Sequence, residues 1–600
     1  MGLAFSGFFC ACSEPVTAPE PIGPLPSEAQ VEWQKMETYA FIHFGLNTFA
    51  DREWGYGDTE LSVFNPSNLD CEQWAKTLKE AGMTGIVLTA KHHDGFCLWQ
   101  TDLTEYSIKN TPYKDGKGDI VAELKAACDK YGLKFGLYLS PWDRNAATYG
   151  TPEYVEYYNQ QLEELTTKFG NLFEFWLDGA NGGDGYYGGA RETRQIDRRT
   201  YYNFPNLFAH ILKNQPNAII FSDGGPGCRW VGNERGFASA TNWAFLRGDE
   251  VYPGYPDYPT LQYGHEDGTA WIPAECDVSI RPGWFFHETE DDKVKTAEQL
   301  VDLYYNNVGH NANFILNFPV DKTGRIAKTD SVNAVTFRQI LNKELSTDLL
   351  KGVKAKVSNE RGGDFKAAAL TDDNFDTYFA TKDDVTSVSI EFSLNSVQKV
   401  NRMMLQEYIP LGQRVKAFTV EYKNGSEWVP VTLNEETTTI GYKRLLRFPT
   451  VETDGLRITI IDARACVCLS TISAFYGGDG SDVQFVDKGD EFDSVEFELT
   501  AQQDQFILDM KQQRTANKLH YLPAKDEKGL IAAYELYAGE TPETATKLIA
   551  KGEFSNIEHN PILQTLRFAP TRAKVLVLKA TKMVHEGEEV KAERLGIEEF

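Results

Sequence analysis

The sequence predicts an α/β domain built on a parallel sheet, followed by two all-β units. Two observations lead there. In roughly the first half, runs of β-branched and aromatic residues alternate with amphipathic helical stretches, and strand–helix alternation implies a parallel sheet. From about residue 352, helical periodicity gives way to short alternating runs such as SVSIEFSL, KAFTVEYKN, EWVPVTL and GLRITIID, which read as antiparallel β-sandwich.

Five strand candidates in the first domain end in polar or aromatic residues. They are TYAFIHFGLNTF with His43, TGIVLTAKHHDGF with His92 and His93, KFGLYLSPWD with Tyr138, Trp142 and Asp143, NLFEFWLDGAN with Trp176 and Asp178, and AIIFSDGGPG with Asp223. If the sheet closes into a barrel, its chemistry gathers at the carboxyl ends of the strands, so these residues converge. Helices are expected over 70–82, 119–132 and 153–170, where apolar residues recur at three- and four-residue spacing. Gly82 and Gly132 close two of them as C-caps. The stretch AEQLVDLYYNNVG reads as a further helix ahead of ANFILNF, a last strand. The Gly-rich insert 179–192 directly after Asp178 reads as an active-site loop. Four segments result: leader and linker 1–28, the α/β domain 29–350, a sandwich 351–478 and a second sandwich 479–600, with Gly477, Gly478 and Gly480 at the last boundary.

Composition narrows the partners. Sixty Lys and Arg face 87 Asp and Glu, for a formal net charge of −27, and so acidic a chain repels nucleic acid and anionic membrane surfaces. A neutral substrate is expected. The aromatic content of 12% suits carbohydrate, whose C–H faces lie flat on rings, although ordinary core filling accounts for most such residues. Nine scattered cysteines include no C-x-x-C pair, so neither a zinc site nor a disulfide scaffold is expected. The start, MGLAFSGFFCACSEPVTAPEPIGPLP, resembles the end of a bacterial lipoprotein signal, with Cys12 after Ala11 favoured over Cys10 for lipidation, but it lacks the basic n-region. It implies a periplasmic or outer-membrane, cell-surface lipoprotein of a Gram-negative bacterium, with a simple secretory leader as the other reading; no run of 18 or more apolar residues follows, so a lipid is the one membrane anchor expected.

Retaining sugar hydrolysis needs two carboxylates about 5–5.5 Å apart, one nucleophile and one acid/base. Asp178 closes the apolar run FEFWL and precedes Gly179, so it should emerge at a strand end, where capping a following helix is its other reading. Glu234, in CRWVGNERG, lies on a loop, and a loop glutamate is ordinarily a solvated surface residue. On residue chemistry alone, Glu53, Glu275, Asp143 and Asp223 compete with it. His92 and His93, adjacent on one strand, should point to opposite faces unless the chain bends there. No H-x-x-x-H or carboxylate triad completes a catalytic metal site.

AFIHFGLNTF, REWGYG, FNPSNLDCEQWAKTLKEAG, LTAKHHDGFCLW, LKFGLYLS and FWLDG together resemble glycoside hydrolase family 29, the α-L-fucosidases, over about residues 38–320. LYLSPWDRN, RWVGNERG and SIRPGWFFH are similar to the subgroup that prefers α-1,3/α-1,4-linked fucose. The resemblance implies a (β/α)8-like TIM barrel and a retaining exo-hydrolase that needs no cofactor. It implies Asp178 as nucleophile and Glu234 as acid/base, with Glu275 in reserve, and fucose binding by His43, Glu53, Trp54, His92, His93, Tyr138 and Arg229, with Trp284 against the fucose methyl group. The substrate implied is a fucosylated oligosaccharide or glycoconjugate. Residues 352–477 resemble a factor 5/8 type C, discoidin-like domain, akin to carbohydrate-binding module family 32, on the stretch ALTDDNFDTYFATK. That resemblance implies a structural calcium at Asp372, Asp373, Asp376 and Thr377, with an ion-free acidic turn as the other reading. Two rival functions are a fucose-binding lectin on a degenerate barrel, and a hydrolase acting on another deoxysugar or on galactose.

Overall fold

The computed structural model describes residues 16–479, 492–554, 557–558 and 560–599; the lipidation candidates Cys10 and Cys12 fall outside them. The chain divides into two compact units. One comprises residues 28–343 together with 484–600, the other residues 1–27 together with 344–483.

In the first unit eight parallel strands close a barrel. They are β1 (Thr38–Ile42), β2 (Gly85–Lys91), β3 (Lys134–Leu139), β4 (Glu174–Trp176), β5 (Ile219–Ser222), β6 (Cys228–Trp230), β7 (Ala274–Ser279) and β8 (Ala312–Asn317). The seam is parallel, with Thr38, Tyr39, Ala40 and Phe41 opposite Phe314, Ile315, Leu316 and Asn317. Burial runs the full length of β1, β2, β7 and β8, which is why these strands read as near-continuous apolar runs rather than as alternation.

The helices follow the sequence closely. α1 (Cys71–Glu80) starts where the Asp70 carboxylate accepts the Gln73 amide, and α2 (Ile120–Tyr131) where Asp119 accepts that of Ala122. Such caps satisfy amide donors that the first turn leaves unpaired. Gly132 takes the left-handed conformation at the end of α2, as expected of a C-cap. α3 (Pro152–Lys168) opens with proline in its first turn, where no intrahelical donor is lost. α4 (Phe204–Asn214), α5 (Ala297–Asn306) and α6 (Lys328–Glu344) complete the outer ring.

The alternation has one gap. β5 and β6 are joined by Asp223–Gly227 alone, with no helix. Gly225 adopts a positive φ of 94° in that reversal, a conformation that favours glycine. β6 and β7 are instead linked by a long excursion holding a small antiparallel pair, Phe245–Leu246 with Ala270–Trp271. A short helix, Glu28–Gln34, sits at the amino-terminal end of the barrel, where Trp33 accepts from Asn313 and donates its indole N–H to Glu174.

Residues 498–599 of the same unit form an antiparallel six-stranded sheet over its own core, including Phe506, Leu508, Leu519, Leu536, Ile557 and Leu576. In the other unit, two twenty-residue strands, Val388–Glu407 and Arg444–Ala463, pair antiparallel at the centre of a seven-stranded sheet. Register shifts between Ser393 and Gln398 interrupt the ladder, the kind of irregularity that lets one long strand bend and serve two layers. Part of the expected leader and linker segment is hydrogen-bonded to this unit. Ile22 donates to the Leu411 carbonyl, and Arg414 donates to that of Glu20 at 2.7 Å. In the acidic turn, Thr377 donates to Asp372 at 2.6 Å and Asp373 pairs with Lys351 at 2.7 Å. The carboxylates of Asp372, Asp373 and Asp376 do not converge on one point; among the described residues only Glu174, Cys228 and Glu275 place three such ligand atoms together. No helix among the described residues is long and apolar enough to cross a membrane, and Cys71, Cys97, Cys128, Cys228, Cys276, Cys466 and Cys468 are free and buried.

Behind β7, the fully buried Arg281 grips Asp330 of α6 through two 2.8 Å bonds. Removing one partner of a buried pair leaves the other charge uncompensated, at about 3–5 kcal/mol. Asp330→Asn should therefore destabilise the barrel by about 3 kcal/mol in denaturant unfolding; a loss below about 1 kcal/mol would contradict this reading.

Candidate active site

The carboxyl ends of the barrel strands open into one cavity, lined among others by His43, Trp54, His92, His93, Tyr138, Asp178, Asp223, Glu234, Asp277 and Trp284. The strand ends do converge as expected. β2 stops at Lys91, so His92 and His93 lie in the turn beyond it. The pleat no longer separates them: their rings sit 4.1 Å apart and both face the cavity.

Asp178, just past β4, accepts the Tyr138 hydroxyl at 3.0 Å and the Ala180 amide at 2.7 Å. His93 Nε2 stands 3.9 Å away, and a quarter of the Asp178 side chain is exposed. Gly179 lets the chain pass close to Asp223: a Cβ there would come within 2.2 Å of the Asp223 carboxylate and force it to shift. The expected helix-capping alternative does not arise, since Asp178 is followed by a loop and the antiparallel pair Gly183–Gly185 with Glu192–Arg194.

The histidines are held neutral. Burial lowers His43 to about 3 and His93 to about 4, the latter against the upward pull of Asp178, and burial takes His92 well below its usual value. Their tautomers follow from their partners. His43 Nδ1 donates to Asn317 Oδ1 at 2.9 Å. Ser140 spends its only proton on the Trp142 carbonyl, so its hydroxyl accepts from His93 Nδ1 at 2.7 Å. Each ring therefore keeps Nε2 as an acceptor. His92 Nδ1 is buried without a hydrogen-bond partner, a polar atom awaiting one. Together these form an uncharged polar cradle suited to hydroxyl groups.

Glu234 reaches the cavity from its loop, where its carboxylate accepts the Trp284 indole N–H at 3.1 Å. Two further acids share the wall. Asp223 accepts the Gly254 amide at 2.6 Å, and burial, reinforced by Asp178, raises it to about 7. Asp277 accepts the Trp230 indole at 2.7 Å, and burial raises it well above the carboxylate range. Asp277 escaped the sequence reading. Its signal was the spacing AECD, which puts Glu275 and Asp277 on the inner face of β7 while Ala274 and Cys276 pack outward against Val231 and Ala312.

Several expected positions lie elsewhere. Glu53 is behind the wall, accepting the amides of Trp284 and Phe285 and bonding His287. Arg229 is fully buried on the outer side of β6, donating to the carbonyls of Leu261 and Ile272 and to Asn242. Neither lines the cavity, so the direct sugar contacts expected of them are corrected to support of the wall. Glu275, the reserve acid/base, is wholly buried in the barrel interior, bonded to Tyr39 and, at 2.7 Å, to the Trp176 indole. Asp143 is likewise internal, paired with Lys91 at 3.2 Å. Trp54 is the most exposed ring of the wall, packed edge-on to His93 at 5.1 Å.

A closed parallel barrel with carboxylates, neutral histidines and aromatic rings gathered at its carboxyl end defines a sugar-processing enzyme of the glycoside hydrolase class. Residues 23–336 match the family described as Alpha-L-fucosidase, and residues 354–471 match the F5/8 type C domain. The chain belongs to the α-L-fucosidase family and is a glycoside hydrolase. It is 40% identical to Alpha-L-fucosidase 1 of Arabidopsis thaliana over 464 residues, 76% of this chain and 88% of that one. A glycoside hydrolase 29 family member from a rumen bacterium superposes with a TM-score of 0.70 at 39% identity, covering 97% of this chain and 100% of the other. A Ruminococcus gnavus GH29 fucosidase in complex with fucose gives 0.69 at 34%, covering 78% and 97%.

The neutral histidines make stability pH-dependent. Between pH 6.5 and about 4 the unfolded chain binds protons that folded His43 and His93 refuse, so stability falls as pH is lowered, by up to about 1.4 kcal/mol per pH unit for each ring. His43→Asn should flatten that slope when denaturation midpoints at pH 7 and 4.5 are compared. An unchanged slope would show that His43 titrates normally.

Proposed function

We propose that the protein is a retaining exo-α-L-fucosidase that releases terminal α-1,3- or α-1,4-linked fucose from glycans by double displacement. The observation that carries this reading is the placing of Asp178, gripped by Tyr138, and Glu234, gripped by Trp284, on one cavity wall beside three neutral histidines. In the first step the Asp178 carboxylate attacks fucose C1. The C1–O bond to the leaving sugar breaks, and Glu234 delivers a proton to the departing oxygen. In the second step the Glu234 carboxylate removes a proton from water, whose oxygen displaces Asp178 from C1 and restores the original anomeric configuration. His43, His92, His93 and Tyr138 hold the sugar hydroxyls, while Trp54 and Trp284 offer ring faces, the latter to the methyl group. Glu53 and Arg229 position this wall from behind. No step passes through a metal or cofactor.

The nucleophile assignment predicts that Asp178→Gly with azide, on an activated aryl α-fucoside, yields β-fucosyl azide, and that Glu234→Ala with azide yields the α-anomer. Near-normal activity of Glu234→Ala on a fucoside with a poor leaving group would remove it as acid/base. A wild type that turns over no fucoside, and whose affinity for fucose is unchanged by substitution of Asp178, would favour the lectin reading.

The linkage preference rests on LYLSPWDRN, RWVGNERG and SIRPGWFFH. It predicts that α-1,3- and α-1,4-fucosylated trisaccharides are cleaved at least about tenfold faster, in kcat/KM, than an α-1,2-linked one, a difference of about 1.4 kcal/mol in the barrier. Equal rates would refute it.

A further inference from the structure

One wall residue comes from far outside the barrel. Glu558, carried by the carboxyl-terminal sheet between strands Lys547–Glu553 and Gln564–Met583, lines the same cavity as Asp178 and Glu234. Its placement is anchored: neighbouring Ile557 is only 2% exposed and belongs to the core of that sheet, together with Phe554. Glu558 itself is exposed.

Other links bind this sheet to the barrel within the one compact unit. Arg235, next in sequence to Glu234, pairs with Glu527 at 3.5 Å. Arg567 pairs with Asp292 in the segment after β7. Two acids of the sheet also act on residues at the mouth: the charge of Glu553 is felt by Arg144, and that of Glu558 by Tyr258. The sheet thus stands over the carboxyl end of the barrel, and its Glu527 reaches the loop that carries Glu234.

That side faces the leaving group. An acid/base must sit beside the bond to the departing oxygen, whereas the histidines and Tyr138 surround the other sugar. The charge of Glu558 is felt by Tyr258, which lines the cavity with Arg198 and, like it, lies outside the histidine cradle. We propose that the carboxyl-terminal sheet completes the leaving-group subsite, with the Glu558 carboxylate accepting hydrogen bonds from hydroxyls of the neutral sugar to which fucose is attached. Carboxylate oxygens can accept from two neighbouring hydroxyls at once. An anionic leaving sugar would meet like charge there and be disfavoured. This inference rests on the proposed fucosidase reading, because it takes Glu234 to mark the leaving-group side.

The test compares full-length wild type, Glu558→Gln and Glu558→Ala on two substrates, a 4-nitrophenyl α-fucoside and the fucosylated trisaccharide that the wild type cleaves best. The ratio of kcat/KM, trisaccharide over aryl fucoside, should fall about 10- to 100-fold in Glu558→Ala, as the loss of hydrogen bonds to a charged group implies. Glu558→Gln should fall less, since its amide oxygen still accepts. Equal melting temperatures of the three proteins would exclude a folding defect. An unchanged ratio in Glu558→Ala overturns the inference while leaving the fucosidase reading intact; a wild type that turns over neither substrate overturns that reading instead.

Discussion

Closure of the eight-stranded sheet is the constraint on which everything else depends. β1 and β8 come from opposite ends of the domain, and their pairing seals the barrel. It also builds the site. His43 follows the end of β1 and Asn317 is the last residue of β8; Asn317 accepts from His43 and donates to the carbonyl of Trp284. In an open sheet His43 and Asn317 would lie on opposite edges. One seam therefore orients a histidine of the cradle and the ring that holds Glu234. Contacts so distant in sequence are costly to form early in folding, so the site should be among the last parts of the domain to assemble.

Closure creates an interior that must be filled, and here it is filled with polar groups as well as apolar ones. Below the cavity, Glu174 and Glu275 lie against each other, joined by the indoles of Trp33 and Trp176 and by the Tyr39 hydroxyl. Burial raises Glu174 to about 7 and Glu275 well above the carboxylate range, with their mutual repulsion adding to the latter. Two carboxylates so placed cannot both ionise, and the protonated one donates to its neighbour. This gives the Trp176 ring a fixed position, stacked on Phe221 at 3.5 Å and beside Tyr138 at 5.6 Å. Tyr138 in turn holds Asp178. The Asp178 carboxylate is thus supported by an unbroken column of contacts from the barrel floor.

Much of this was legible in the sequence, because the physics is local. Alternating texture gave the layers, three- and four-residue apolar spacing gave the helices at 70–82 and 119–132, and apolar runs ending in Asp178 or Tyr138 located the wall. The misplaced residues failed for identifiable reasons. Arg229 lies between Cys228 and Trp230 on a three-residue strand too short to show its period, so nothing revealed that its side chain points outward. Glu53 sits in a loop, where no periodicity fixes direction, and backbone amides of a segment more than 200 residues away capture its carboxylate. The turn at His92 and His93 depends on where β2 stops, which pairing with neighbouring strands decides. The approach of Glu558 depends on docking between a sheet and a barrel, for which the chain carries no local mark.

Five of the eleven tryptophans, Trp54, Trp142, Trp176, Trp230 and Trp284, line this single cavity. Indole emission is sensitive to the polarity and quenching groups around the ring, and most of these rings touch histidines, carboxylates or each other. The protein consequently carries its own optical reporter. Occupation of the cavity by a ligand changes the surroundings of several of these rings at once and is written into the ultraviolet fluorescence of the unlabelled chain, so ligand titrations need no attached dye.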